Sequence, residues 1–139
     1  ARMRILHIEI EDNPYLLLLY WEIKRTEISY TIDTIREIIE KNPGDSLYLI
    51  MGTDQALEFR EWKEPETLIT LLEFIIVTRP GIDRKRIDKM LREKAQFFEL
   101  NIDISSTMIR NRIKDGKSIR YLIPENVREY IVANRLYQK

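Results

Sequence analysis

The chain has 139 residues, of which 44% are hydrophobic, and it carries 23 basic against 23 acidic side chains. That length suits one globular core without a linker, and the cancelled charge excludes a general polyanion binder that relies on a strongly basic field. With no cysteine and one histidine, His7, disulfides and thiolate metal sites are excluded, and a reducing cytoplasm is a compatible setting.

Residues 1–12 carry Met3, Ile5, Leu6, Ile8 and Ile10 among charges, the pattern of a helix end, and Asn13-Pro14 closes it. Tyr15 to Trp21 is a continuous apolar run beside a turn signal and predicts a strand covered on both faces. From Ile32 the apolar positions Ile35, Ile38 and Ile39 follow helical spacing, stopped near Asn42-Pro43-Gly44, and Leu47 to Met51 predicts the next buried strand. Short helices are expected over 55–60 and 66–72, then a strand over 74–78 stopped by Pro80-Gly81. An amphipathic helix over 84–94, with Ile87, Met90 and Leu91 on one stripe, leads to a strand over 97–102, and helices over 106–115 and 124–136 complete the chain. The longest apolar runs are far too short for a bilayer and the N-terminus lacks a signal-peptide pattern, so a soluble protein without a membrane partner is expected.

Strands alternating with helices imply an α/β fold, a parallel sheet with helices on both faces, whose ligands bind beyond the carboxyl ends of the strands. Chemistry is therefore sought in the loops that follow strands. In Ile104-Ser105-Ser106-Thr107-Met108-Ile109-Arg110 three hydroxyls open a helix whose first N–H groups lack partners, and Arg110 stands one turn beyond Ser106. Such an opening suits a phosphate, although a serine that merely caps the helix has the same sequence. Ile28-Ser29-Tyr30-Thr31-Ile32-Asp33-Thr34 reads as a second helix start able to receive a carboxylate, or simply as a capped helix. Gly52-Thr53-Asp54 follows a strand, where a small residue admits a ligand and a carboxylate can accept from ribose hydroxyls. Trp62 could stack on a flat ring, although a lone Trp is more often packed in the core. Tyr130 and Ile131 read as core, and Arg84-Lys85-Arg86 as a solvated face.

Ile-Ser-Ser-Thr-x-Ile-Arg resembles the C-terminal nucleotide-binding motif of the nucleotidyltransferase superfamily, and Ser-Tyr-Thr-Ile-Asp-Thr resembles the nicotinate-pocket segment of bacterial nicotinate-nucleotide adenylyltransferases. Arg79-Pro80-Gly81 and the stretch from Ser118 to Pro124 fit the same likeness, which runs from about Arg4 to Tyr137. The resemblance implies a Rossmann-like nucleotidyltransferase fold in a single domain over 1–139 and transfer of the adenylyl group of ATP to nicotinate mononucleotide, with Mg2+ neutralising the pyrophosphate. It further implies that Ser105, Ser106, Thr107 and Arg110 hold the ATP phosphates, and that Tyr30, Thr31, Gly52, Asp54 and Trp62 contact nicotinate mononucleotide. The implied partners are these two substrates, with no nucleic acid, in the cytoplasm, and a homo-oligomer is left open. The family begins with a strand, a glycine-containing loop and a His-x-Gly-His motif, none of which occurs here, and His7 reads as structural. The expectation is thus an N-terminally incomplete domain of a protein of roughly 190 to 200 residues, with exposed apolar strand edges, no catalytic residue of its own and no turnover alone. Two other readings stay open: another adenylyl- or cytidylyltransferase of the superfamily, and a non-catalytic nucleotide-binding fragment.

Overall fold

Residues 1–24, 26–79, 83–102 and 104–138 are described by the computed structural model, and the chain divides into two units, Trp21–Ile102 and Ala1–Tyr20 with Asp103–Lys139.

In chain order the helices are α1 (Arg2–Ile10), α2 (Trp21–Lys24), α3 (Thr31–Lys41), α4 (Thr53–Leu57), α5 (Pro65–Leu71), α6 (Lys89–Lys94), α7 (Ser106–Lys114) and α8 (Glu125–Ala133), and the strands are β1 (Tyr48–Gly52), β2 (Glu73–Thr78) and β3 (Gln96–Glu99).

 Trp21–Ile102 thus holds α2 to α6 with all three strands, and the other unit holds α1, α7 and α8.

Within Trp21–Ile102, α3 forms because isoleucines at positions 32, 35, 38 and 39 make one apolar stripe, of which Ile32 and Ile35 are buried. It stops where the Asn42 backbone N–H and side-chain amide both donate to the Ile38 carbonyl at 3.0 Å, and Gly44 then turns the chain at φ +96°. The strands lie parallel in the order β1-β2-β3, with Tyr48 opposite Glu73 and Ile75 opposite Gln96. Met51, Phe74 and Ile76 from the sheet pack with Ile32, Phe59, Leu68, Leu72, Ile87 and Leu91 in one core. Phe59 meets Phe74 edge to face, with ring centroids 5.6 Å apart.

Four expectations are corrected here. Residues 15–20 form no strand, and Tyr15 and Leu17 are largely exposed; strand backbone needs a neighbouring ladder, and none of the described strands pairs with this run. The strand after α3 is buried on one face only: Met51 is buried, whereas Tyr48 and Ile50 are 54% and 66% exposed on the edge of the sheet. Residues 55–60 are not one helix but the end of α4 followed by a 3-10 turn, Phe59–Glu61. The helix expected over 84–94 is broken, because Ile87 is extended and buried and Asp88 restarts the chain as the N-cap of α6, accepting from the Leu91 N–H at 3.1 Å. Pro80-Gly81 lies outside the described residues.

Asp88 also receives the Arg60 Nε at 2.6 Å, and Arg60 reaches Glu66 at 2.6 Å, joining the 3-10 turn to α5 and α6. Burial works to raise the Asp88 carboxyl, but the hydrogen bonds from Arg60 and from the Leu91 N–H, with the guanidinium charge, hold it below its ordinary value. A depressed folded-state pKa contributes stability that is full above the unfolded value of about 3.9 and is lost as pH falls through the folded value. Urea midpoints of the native chain and of Asp88→Asn, which keeps a capping side chain, should therefore differ at neutral pH and converge in acid. A constant difference down to acid pH would contradict this.

In the other unit, Ile109 of α7, Ile119, and Val127 and Ile131 of α8 form a small core against which Ile5 and Ile8 of α1 pack. Asn126 Nδ2 donates to the Ile8 carbonyl at 3.2 Å, tying α8 to α1. Arg112 Nε donates to the Ser118 carbonyl at 2.9 Å and so closes the turn that follows α7. Ile131 lies in this core as expected, with Tyr130 half-buried beside it.

Candidate functional site

The carboxyl end of β1 runs directly into α4. Thr53 is buried there and its hydroxyl donates to the Val77 carbonyl at 3.3 Å, which pins the junction to β2. The Gly52 N–H donates to Gln55 Oε1 at 3.3 Å, and Asp54 is exposed in the first turn of α4. A Cβ added to Gly52 would meet nothing within 4 Å, and its φ of −80° suits any residue. Neither strain nor packing among the described residues demands glycine here; its effect is to leave the strand end uncovered.

The start of α3 presents Tyr30, in extended conformation, and Thr31, the first helical residue, with no side chain capping the helix. Across from it, the chain leaves the 3-10 turn through Trp62-Lys63-Glu64. Trp62 is half-buried, packs against the core and lies 5.5 Å from Phe59 between ring centroids. It is neither a wholly internal residue nor a free surface ring. Lys63 Nζ stands 4.5 Å over the Tyr30 ring and 3.2 Å from the Asp33 carboxylate. Glu64 accepts two hydrogen bonds from Arg36, at 3.1 and 2.6 Å. Those bonds hold the Glu64 carboxyl below its ordinary range and raise Arg36 further.

In the second unit, Ser105 is extended and its Oγ accepts from the Met108 N–H at 3.1 Å, so this hydroxyl serves as the N-cap of α7. Ser106 and Thr107 are exposed, and Arg110 Nη2 donates to Thr107 Oγ1 at 3.1 Å. Ser106 and Arg110 line one depression of about 460 Å³, together with Arg2 and Glu9 of α1 and Val127 of α8. One serine therefore builds the helix, while the other hydroxyls and the guanidinium are left at its opening. With two arginines against one glutamate at this depression, an anion finds a favourable field.

The sites thus fall into groups: Tyr30 and Trp62 are tied through Lys63, Gly52 and Asp54 share the β1–α4 junction, and Ser105 to Arg110 open α7. The chain matches the cytidylyltransferase-like family over residues 1–112. It belongs to that family. Among its relatives, the probable nicotinate-nucleotide adenylyltransferase of Desulfitobacterium hafniense strain Y51 is 39% identical over 137 residues, covering 93% of this chain and 66% of the relative. The protein of the same name from Geobacillus kaustophilus strain HTA426 is 35% identical over 136 residues, covering 98% and 61%. That from Lachnoclostridium phytofermentans is 34% identical over 147 residues, covering 98% and 72%. The chain therefore spans about two thirds of the length of these family members. A solved structure, Plasmodium falciparum nicotinic acid mononucleotide adenylyltransferase complexed with APC, superposes with a TM-score of 0.71 at 22% identity, covering 98% of this chain and 74% of that one. The expected Rossmann-like nucleotidyltransferase fold is thereby established for this family member. No helix among the described residues is long and apolar enough to cross a membrane.

Sequence reasoning missed Asp33, Arg36, Lys63 and Glu64. Their only signal is the one-turn spacing of Asp33 and Arg36 and the adjacent opposite charges of Lys63 and Glu64; nothing in a sequence pairs residues about thirty positions apart.

Proposed function

We propose that the protein to which this chain belongs transfers the adenylyl group of ATP to nicotinate mononucleotide. The observation that carries the reading is the opening of α7, where Ser106 and Arg110 line a depression at a capped helix start and Arg110 also holds the Thr107 hydroxyl. The names of the relatives support the acceptor. In this reaction a phosphate oxygen of the mononucleotide attacks the α-phosphorus of ATP, the bond to the β-phosphate breaks, and pyrophosphate leaves. In this reading Arg110, with the Ser106 and Thr107 hydroxyls, holds the triphosphate, and Ser105 positions them through its cap. Tyr30, Thr31 and Trp62 receive the nicotinate ring and its carboxylate, and Gly52 and Asp54 receive the ribose.

No three acidic or histidine side chains converge as a metal site among the described residues. In this reading magnesium enters as the ATP complex, where it would supply charge neutralisation on the leaving pyrophosphate. The two units are read as parts of one nucleotidyltransferase domain acting in the cytoplasm, on small-molecule substrates alone.

The test follows both substrates by pyrophosphate release. Trp62→Ala should raise KM for nicotinate mononucleotide several-fold and leave that for ATP nearly unchanged, since an aromatic stack contributes about 0.5 to 1.5 kcal/mol. Because Trp62 also lies against Phe59, some loss in melting temperature accompanies it. A large fall in melting temperature with both KM values shifted alike would refute the stacking role, and no adenylyl transfer by the full-length protein would refute the activity.

A further inference from the structure

Two consecutive residues of opposite charge, Lys63 and Glu64, are paired with two residues of opposite charge one turn apart on α3, Asp33 and Arg36. Each pair joins the same two pieces of chain. Lys63 Nζ reaches both Asp33 oxygens, at 3.3 and 3.2 Å, while lying over Tyr30. Arg36 grips Glu64 with both terminal nitrogens, a planar geometry that fixes direction as well as distance. Exposed pairs of this kind contribute little to overall stability, and the side chains of Arg36 and Glu64 are 51% and 37% exposed. Glu64 moreover holds a left-handed backbone at φ 54°, which a glutamate adopts at a cost. An arrangement that adds little stability at a strained position calls for another role, and Trp62 is the residue directly before it.

We propose that Asp33–Lys63 and Arg36–Glu64 form a double clamp that positions Trp62 against the start of α3, in register with Tyr30, for a ligand carrying an aromatic ring. The four are positioning residues. The use of the clamp for nicotinate mononucleotide rests on the function proposed above, whereas its hold on Trp62 does not.

Reversing both members of the Arg36–Glu64 pair keeps a bridge, and removing either one opens it. Three variants of the full-length protein decide the matter: Arg36→Gln, Glu64→Gln, and the swap Arg36→Glu with Glu64→Arg. They are made beside the native pair in a background with Trp21→Phe and with any tryptophan outside these 139 residues likewise changed to Phe, so that Trp62 is the single tryptophan. Acrylamide quenching of Trp62 should rise in both single variants and fall back in the swap, with melting temperatures nearly unchanged. KM for nicotinate mononucleotide should rise roughly two- to tenfold in the single variants and recover in the swap, as expected for a weakened aromatic stack, while kcat and KM for ATP stay level. Unchanged quenching in the single variants, or a rise that the swap does not reverse, would overturn the clamp whatever the enzyme does. Altered quenching with an unmoved KM in an active enzyme would overturn its role in acceptor binding. A full-length protein with no transfer activity would overturn the proposed function alone, and the quenching series would still decide the clamp.

Discussion

Phe59→Ala is expected to destabilise the chain by about 3 to 5 kcal/mol, the range for deleting a buried aromatic side chain. Phe59 is fully buried at the centre of the larger core, meets Phe74 edge to face and also backs Trp62. Removing its ring leaves a cavity that cannot easily collapse, because the 3-10 turn carrying it is held by Arg60 to both Glu66 and Asp88. Against total stabilities of 5 to 15 kcal/mol for ordinary domains, a loss of about 4 kcal/mol removes a large share. Urea denaturation followed by circular dichroism measures it, with Phe59→Leu as the milder control. A loss below about 1 kcal/mol would mean that the core around Phe59 is not packed as described.

Arg110→Ala should weaken ATP binding by about 1.5 to 3 kcal/mol, or roughly ten- to 150-fold, the usual worth of a charge-assisted hydrogen bond to phosphate. The residue is exposed at the opening of α7 and its one described partner is the Thr107 hydroxyl. Stability should therefore change by no more than about 0.5 kcal/mol. Titration calorimetry with ATP and, separately, with nicotinate mononucleotide distinguishes a phosphate contact from a general defect. Equal weakening of both ligands would count against the assignment of Arg110 to ATP.

These two residues were legible in the sequence to very different degrees. Arg110 stands in a short motif whose hydroxyls and spacing already implied an anion site, and Ser105 occupies the cap position that the same motif allowed. Phe59 was only one apolar residue in a stretch read as a single helix, and its place at the centre of the core depends on the 3-10 turn and on Phe74, fifteen positions away. Trp62 was left between stacking and packing, and the structure gives it a share of both environments.

Local sequence determined α3, α7 and α8 through their apolar period, joined in α7 by a serine cap, and it determined β2, where the run Phe74 to Thr78 is strand-forming and stands before Pro80. It also determined the family through ordered motifs. Only the tertiary structure decided the state of residues 15–20 and the exposed face of β1, since a strand exists through its neighbours and apolar character does not name them. The clamp of Asp33 and Arg36 on Lys63 and Glu64 was likewise decided there. Charge pairing depends on distance in space, and the fold brings together residues that the sequence keeps about thirty positions apart.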